Sequence, residues 1–191
     1  MSIRTISSRE VYRNPWTRVR EDVIEREGGG RGIYGVVEKD PACIVIPLEV
    51  VSSGPETGEF LHLVEQFRYT VEGRYLELPQ GGWERAEIVP EELARGELRE
   101  ETGLTAKRMT LLGAQWIAYG VMRQKMYVYL AEDLTQGEPD RDAEEHDLVL
   151  HRVTVREFEE MLLDGRIMDN CTAAAWGLYT VWRERERRKE R

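Results

Sequence analysis

Three glutamates in the middle of the chain, Glu97, Glu100 and Glu101, have a spacing that could support chemistry. On a helix, residues three and four positions apart share one face, so these carboxylates would crowd and repel one another. A helix also disfavours negative charge near its C-terminal end. A divalent cation would neutralise the cluster, and hard oxygen ligands favour Mg²⁺, with Mn²⁺ as a substitute. The alternative is a solvated acidic face that pairs with Arg95 and Arg99.

The element that must position these glutamates is a helix predicted over residues 90–102. Pro90 suits the first turn, two acidic residues follow it, and Gly103 ends the pattern. In the preceding loop, Gly81 and Gly82 would let main-chain atoms approach a ligand closely. A tight glycine loop next to a carboxylate face favours a metal site that also holds phosphate.

The segment over residues 77–104, ELPQGGWERAEIVPEELARGELREETGL, resembles the signature of the Nudix hydrolase family. That signature is G-x5-E-x7-R-E-U-x-E-E-x-G-U, where U is aliphatic. Counted from Gly82, its second half is met without a gap as ELREETGL. Two positions depart from it: Ile88 stands at the first glutamate and Gly96 at the arginine. The family uses that arginine to hold the glutamates by ion pairing.

The order of segments along most of the chain is similar to the ADP-ribose pyrophosphatase branch of this family. That branch cleaves nucleoside diphosphates linked to another moiety. The resemblance implies that Glu97 and Glu101 bind metal directly, that Glu100 completes the cluster, and that the carbonyl of Gly81 is a further ligand. It also implies a small-molecule nucleotide substrate and a Mg²⁺ cofactor.

Substrate contacts are implied by the same resemblance. Arg68, in the segment EQFRY, matches a substrate-contacting arginine of the branch, and Arg31 and Trp16 are further candidates near the base. The branch forms dimers in which N-terminal elements help to build the partner's site. A homodimer is therefore expected, with Trp16 and the N-terminal strands at or near the interface.

Hydrolysis of a pyrophosphate also needs a positioned water and a base within hydrogen-bond reach of it. In the ADP-ribose branch the base often lies on a loop after the later strands. Here that loop is GEPDRDAEEHD, residues 137–147, where Glu144 is the first candidate and Glu145 the second. The alternative is an acidic loop that is only solvated.

Alternatives to ADP-ribose or nucleotide-sugar hydrolysis remain open. Tyr119 and Gly120 lie where the ADP-ribose enzymes usually carry a proline, and together with PQGG they are similar to dinucleoside polyphosphate hydrolases of the same superfamily. Ile88 and Gly96 occupy positions where the family keeps functional charge, which would suit a non-catalytic nucleotide-sensing module. The third alternative is an interaction protein whose acidic helix is merely surface.

Composition limits the remaining possibilities. A formal charge of −9 over 191 residues argues against binding to nucleic acid. The sequence contains no apolar run near the ~18–20 residues that span a bilayer and no secretory h-region, so we expect a cytoplasmic protein without membrane contact. Two distant cysteines, Cys43 and Cys171, fit neither a disulfide framework nor a zinc site.

The hydrophobic patterning predicts an α+β fold in which helices cover both faces of a mixed sheet, and the resemblance implies that this fold is a Nudix-like α/β/α sandwich. A small antiparallel β appendage over residues 1–40 would serve dimerisation, and residues 41–191 would form the Nudix domain. Helices are also expected over residues 155–164, from a capping box at Thr154, and from residue 172 onward. Strands are predicted over residues 16–25, 33–38, 42–51, 60–69, 111–118, 125–131 and 148–153.

Overall fold

The computed structural model describes residues 2–82, 89–139, 147–189 and 191. Three helices lie within these ranges, α1 (Pro90–Thr102), α2 (Val155–Leu163) and α3 (Asn170–Lys189). The strands there are β1 (Ile3–Arg13), β2 (Arg18–Arg26), β3 (Arg31–Glu38), β4 (Ala42–Val51), β5 (Gly58–Arg68), β6 (Gly73–Glu77), β7 (Gln80–Gly81), β8 (Leu104–Trp116), β9 (Met122–Arg123), β10 (Lys125–Gln136) and β11 (Val149–Thr154).

The central sheet has seven strands among the described residues, in the order β11-β5-β4-β10-β8, with β6 added to β5 and β7 added to β4. The strands β4 and β10 run parallel, and the other neighbouring pairs run antiparallel. This confirms the predicted mixed sheet. The strand β4 is continuously apolar from Ala42 to Leu48 because both faces of the sheet are covered there.

Alternate residues of the central strands point into two different cores. On one face, Ile44 and Ile46 belong to a cluster that includes Phe158 of α2 and Trp176 of α3. On the other face, Cys43 and Val45 pack with Leu93 and Leu98 of α1. The sheet is therefore sandwiched between α1 and the pair α2 and α3, as the sequence predicts.

A second sheet stands at the N-terminal side, in the order β1-β2-β3-β9 among the described residues. Its first three strands are antiparallel, and Gly28 and Gly29, with φ of 96° and 88°, form the turn between β2 and β3. The strand β9 comes from beyond the predicted boundary at residue 40 and pairs with β3 in parallel. The division into 1–40 and 41–191 remains a proposal.

The end of α1 is fixed by a glycine. Gly103 has a φ of 74°, and its N–H donates a hydrogen bond to the carbonyl of Arg99 at 2.8 Å. A Cβ at this position would lie 2.5 Å from the carbonyl oxygen of Gly137, whose own N–H donates to the Gly103 carbonyl at 2.9 Å. The beginning of the acidic loop is therefore held against the C-terminal end of α1.

Several element bounds differ from the prediction. The sequence pattern does not predict β1 as a separate strand, because the strand is exposed along its whole length and no apolar face marks it. The strand β8 begins seven residues before the predicted position 111, and α3 begins two residues before position 172. None of the helices in the described ranges is both long and apolar enough to cross a membrane.

Candidate active site

Glu97 lies against the glycine loop. Its side chain is 6% exposed on the inner face of α1, next to Gly81 of β7. A Cβ built on Gly81 would lie only 2.6 Å from Oε1 of Glu97, so the carboxylate occupies the space that any larger residue would take. The structure thus places a main-chain segment next to a carboxylate, and their shared role as metal ligands stays a prediction.

Glu101 lies one turn further along α1 and is buried more completely, at 2% exposure. Its Oε2 accepts a hydrogen bond from the N–H of Gln80 at 3.1 Å. Both buried carboxylates of α1 therefore meet the main chain of β7. A buried carboxylate needs hydrogen bonds, a counter-charge or a cation to offset its desolvation. A bound cation would therefore stabilise both glutamates in these positions.

Glu100 differs from its two neighbours. Its side chain is 28% exposed and its Oε1 lies 3.6 Å from Nη2 of Arg99. Across residues 2–82, 89–139 and 147–189, no three His, Cys, Asp or Glu side chains are grouped closely enough to hold a metal ion. A site built here would combine Glu97 and Glu101 with oxygens of the main chain, and the three-glutamate cluster remains a prediction.

A cavity of about 610 Å³ is lined by residues 80–82 of this loop, whereas the glutamates of α1 do not line it. Arg68, at the end of β5, lines it together with Glu77, Gln80 and Gly81. Arg68 forms a two-point ion pair with Glu77, donating from Nε to Oε2 at 3.2 Å and from Nη2 to Oε1. The predicted substrate arginine is thus beside the glycine loop. The sequence pattern alone does not indicate a role for Glu77 or Gln80.

The floor of this cavity is tied to the start of α3. Gln80 Nε2 donates to Oδ2 of Asp169 at 2.8 Å, and the same oxygen accepts from the N–H and hydroxyl of Thr172. The Thr172 hydroxyl in turn accepts from the N–H of Leu78 at 3.0 Å. These bonds join Leu78, which follows β6, and Gln80 of β7 to the start of α3 in one polar network.

The thiols of Cys43 and Cys171 take no part in this chemistry. Both cysteines are free, and burial raises the pKa of each thiol to about 12. A thiol of such high pKa stays protonated near neutral pH and is a poor nucleophile.

The two candidates near the base lie apart from this cavity. Trp16, between β1 and β2, lines a second cavity of about 610 Å³ with Trp116, Lys125 and Arg123. Lys39 lines both cavities, so they are neighbours around the beginning of β4. Arg31 is 72% exposed at the far end of β3, where its closest ionic contact is Glu25 at 3.8 Å. It does not line either cavity.

The base candidates Glu144 and Glu145 lie outside the described residues, but both ends of their loop are placed. Gly137 is bonded to Gly103 at the end of α1. At the other end, Asp147 accepts hydrogen bonds from Arg74 of β6 through its side chain at 2.7 Å and its carbonyl at 2.9 Å. The loop thus begins beside the helix that carries Glu101.

Of the two positions that depart from the signature, the structure describes only position 96. Ile88 lies outside the described residues. At position 96 a glycine stands in the middle of α1 and is buried. Arg95 does not replace the missing arginine, because it donates to Glu91 at 2.9 Å and to the carbonyl of Ala106 at 2.7 Å.

Comparison with known proteins agrees with this fold. Residues 50–171 match the model of the NUDIX domain, and residues 3–37 match that of the nucleoside diphosphate sugar hydrolase N-terminal domain. The chain belongs to the NUDIX family, and it is a hydrolase of that family. This confirms the resemblance, the fold class and the prediction of an enzyme. Members of the family generally use divalent metal ions.

Particular relatives are similar over most of their length. The chain is 29% identical over 173 residues to an ADP-ribose pyrophosphatase of Bacillus subtilis, covering 90% of this chain and 89% of the relative. It is 30% identical over 171 residues to an ADP-ribose pyrophosphatase of Mycobacterium tuberculosis, covering 89% and 79%. The crystal structure of an ADP compounds hydrolase superposes with a TM-score of 0.80 at 22% identity, covering 97% of this chain and 96% of that one.

Proposed function

We propose that the protein hydrolyses the pyrophosphate bond of a nucleoside diphosphate linked to another moiety, with ADP-ribose or a nucleotide sugar as substrate and Mg²⁺ as cofactor. One observation carries the proposal: Glu97 and Glu101 are buried against the main chain of Gln80 and Gly81, beside a cavity lined by Arg68. The names of the two bacterial relatives support ADP-ribose.

The donor set fits Mg²⁺. Glu97 and Glu101 would supply carboxylate oxygens, and the main chain of Gly81 lies next to Glu97, so its carbonyl oxygen is proposed as a further ligand of the same metal. When bound, the metal would neutralise phosphate charge and lower the pKa of a bound water. Glu100 would complete the acidic cluster.

The remaining residues have separate roles in this proposal. Arg68 binds the diphosphate, since a guanidinium matches the geometry of phosphate oxygens. Glu144, or Glu145, accepts a proton from the attacking water. The anchoring of their loop beside α1 supports this assignment. Trp16 stacks on the base, and its place in an aromatic and basic cavity supports that role. For Arg31, at the far end of β3, no contact supports a role in the same subunit.

The protein is proposed to act as a homodimer in the cytoplasm. The N-terminal sheet exposes large apolar residues, among them Ile3, Ile33 and Tyr34, and such a surface is typical of an interface. The free state of both cysteines is compatible with a reducing compartment.

A substrate panel is the direct test. ADP-ribose, nucleotide sugars and dinucleoside polyphosphates are each incubated with and without Mg²⁺, and phosphate is measured after coupling to a phosphatase. We expect Mg²⁺-dependent release with ADP-ribose or a nucleotide sugar. Preferential cleavage of a dinucleoside polyphosphate would instead support that alternative, and no turnover on any nucleotide would contradict the proposal.

A non-catalytic nucleotide-sensing module is the second candidate, and Gly96 favours it because the arginine of the family signature is replaced by glycine at that position. The two functions differ in the effect of Glu101→Gln. For an enzyme, loss of a metal ligand should reduce kcat by more than the about 10–100-fold typical of a supporting residue. The matched control is Glu91→Gln, an exposed carboxylate on the same helix. Thermal stabilisation by an unchanged nucleotide would favour the sensing module.

A further inference from the structure

Glu77 is a buried carboxylate with no role in the proposed chemistry so far. It is 2% exposed at the end of β6, and burial raises the pKa of its carboxyl group, against the opposing effect of Arg68. Buried ion pairs are seldom retained for stability, because apolar residues of similar volume often do as well or better. The presence of Glu77 beside the cavity therefore needs another reason.

Glu77 holds Arg68 from the buried side and leaves the rest of the guanidinium facing the cavity. The side chain of Glu77 is 3% exposed, whereas that of Arg68 is 39% exposed where it lines the cavity. The pair uses Nε and Nη2 of the guanidinium, and Nη1 takes no part in it. A guanidinium has five N–H donors in a fixed planar fork, so holding it from one edge leaves three donors for a ligand on the cavity side.

Glu77 is itself held in place from two more sides. Gln66 of β5 donates to its Oε1 at 2.6 Å, and Gln80 of β7 donates to its Oε2 at 3.1 Å. Four donors thus fix both oxygens of the carboxylate. Gln80 also donates from its main chain to Oε2 of Glu101, so one residue connects the support of Arg68 with the acidic helix.

We propose that Glu77 is a positioning residue that holds the Arg68 guanidinium in the orientation needed to grip the substrate's diphosphate. The inference rests on the proposed function, since it assigns Arg68 to the diphosphate. An arginine without such a partner would lose much side-chain entropy when the substrate binds. The ion pair with Glu77 already restricts the Arg68 side chain in the free protein, so less entropy is lost on binding.

A purely electrostatic role for Arg68 predicts the opposite change in KM when Glu77 is removed, so the direction of that change distinguishes the two explanations. If Arg68 contributed only positive charge, the neighbouring carboxylate would weaken its attraction for phosphate, and removal of Glu77 would lower KM. If Glu77 acts by orientation, its removal raises KM although the local charge becomes more positive.

The first experiment compares Glu77→Gln with Glu132→Gln under Mg²⁺ with ADP-ribose. Glu132 is a matched control because it also pairs with an arginine on the neighbouring strand, Arg108 of β8, but does not line the cavity. We expect Glu77→Gln to raise KM about tenfold with kcat within about threefold of wild type, and Glu132→Gln to leave both unchanged. An unchanged or lowered KM in Glu77→Gln would overturn the inference.

A double-mutant cycle separates positioning from a general structural effect. Arg68→Ala alone should raise KM, and adding Glu77→Gln to it should change KM by less than about twofold, since the group being positioned is gone. Equal effects of Glu77→Gln with and without Arg68 would assign Glu77 to the fold rather than to Arg68 and so contradict the proposal.

A milder variant covers the case in which Glu77→Gln does not fold. Gln66→Ala removes one donor from Glu77 and keeps the ion pair, so KM should rise about threefold in the wild type and not at all in Arg68→Ala. Equal KM values for Gln66→Ala and the wild type would then overturn the inference.

Binding in EDTA distinguishes failure of this inference from failure of the proposed function. ADP-ribose is titrated calorimetrically into the wild type and into Glu77→Gln, or into Gln66→Ala if the former does not fold. Absence of turnover by the wild type on the whole panel would refute the proposed function. A weaker Kd in the variant would still support positioning, and equal or undetectable binding by both proteins would refute it.

Discussion

Gly81 is the residue at which the metal site can be tested with the smallest change. Its missing Cβ leaves the space that the Glu97 carboxylate fills. We expect Gly81→Ala to displace this carboxylate and to reduce Mg²⁺-dependent kcat by at least about tenfold, the lower end of the effect of disturbing a ligand's support. The Mg²⁺ concentration needed for half-maximal activity should rise at the same time.

The control for that substitution is Gly35→Ala, because a Cβ on Gly35 would meet no atom within 4 Å. Activity and metal dependence should stay at wild-type values in this variant. If Gly81→Ala behaved in the same way as Gly35→Ala, Glu97 would not be held at the glycine loop for metal binding.

His62 predicts how stability depends on pH. It lies on β5, with Nε2 at 2.9 Å from Oε2 of Glu49, and Arg152 of β11 bonds the same carboxylate. Burial lowers the pKa of His62 below its ordinary value of 6.5 and outweighs the opposite effect of Glu49. The unfolded chain therefore takes up this proton at a higher pH than the folded protein, and stability is lost as the pH falls below about 6.5.

We expect Tm to fall between about pH 7.5 and pH 5.5, a range in which histidine is the side chain that ordinarily titrates. His62→Gln should make this part of the profile flatter. Measuring both proteins also at about pH 8, where His62 is neutral in both states, gives the effect of the substitution itself. A variant profile parallel to that of the wild type would contradict the assignment to His62.

At the residue level, sequence reasoning located the glutamates of α1 and Arg68 but not the residues that support them. Glu97 and Glu101 are separated by one helical turn, so their common face follows from local geometry. The support of Arg68 depends on how β5 and β6 pair, where Phe67 stands opposite Arg74 and Val64 opposite Glu77. This register depends on pairing between two strands and cannot be derived from either segment alone. The charge of Glu77 within an apolar run is the one sequence feature that could have indicated a buried polar contact there.

Among the elements, α1 was predicted with its observed bounds, Pro90–Thr102, because both ends carry local signals. The strand β4 was also predicted with its observed bounds, since a continuous apolar run marks a strand buried on both faces. The strand β1 has no such signal. All of its residues are exposed, and only pairing with β2 defines it as a strand.

The junction between α1 and the acidic loop gives a prediction for an element boundary. Gly103→Ala would put a side chain at a φ of 74° and push its Cβ to 2.5 Å from the carbonyl of Gly137. We expect a loss of stability greater than the about 1–2 kcal/mol that the left-handed conformation alone costs. Activity should fall as well if the loop beginning at Gly137 carries the base. Urea unfolding and steady-state kinetics measure the two effects.

The variant Gly165→Ala distinguishes the cost of backbone strain from the cost of a steric clash. Gly165, after the end of α2, has a φ of 81°, but a Cβ there would meet nothing within 4 Å. This variant should lose about 1–2 kcal/mol and keep its activity. Equal losses of stability in the two variants would show that the loop yields freely and is not fixed to α1.

On the scale of the whole molecule, the α/β/α sandwich follows from patterning, because alternate residues of the central strands supply two separate cores. The four-stranded sheet does not. Its last strand, Met122–Arg123, has two residues and joins β3 by a parallel pairing that no short pattern indicates. Through this strand the N-terminal sheet is attached to the Nudix domain, and the cavity of Trp16 lies between them.

The exposed apolar residues of the N-terminal sheet carry the prediction for assembly. Ile33 is 69% exposed on β3, opposite Val23 of β2, and a charge placed there would be desolvated in an interface but not on a free surface. We expect the wild type to be a dimer by light scattering at micromolar concentration and Ile33→Asp to shift it towards monomer. Leu163→Asp is the matched control, because Leu163 is 84% exposed at the end of α2. If both variants stayed dimeric, β3 would not be at the interface, and a monomeric wild type would refute the homodimer itself.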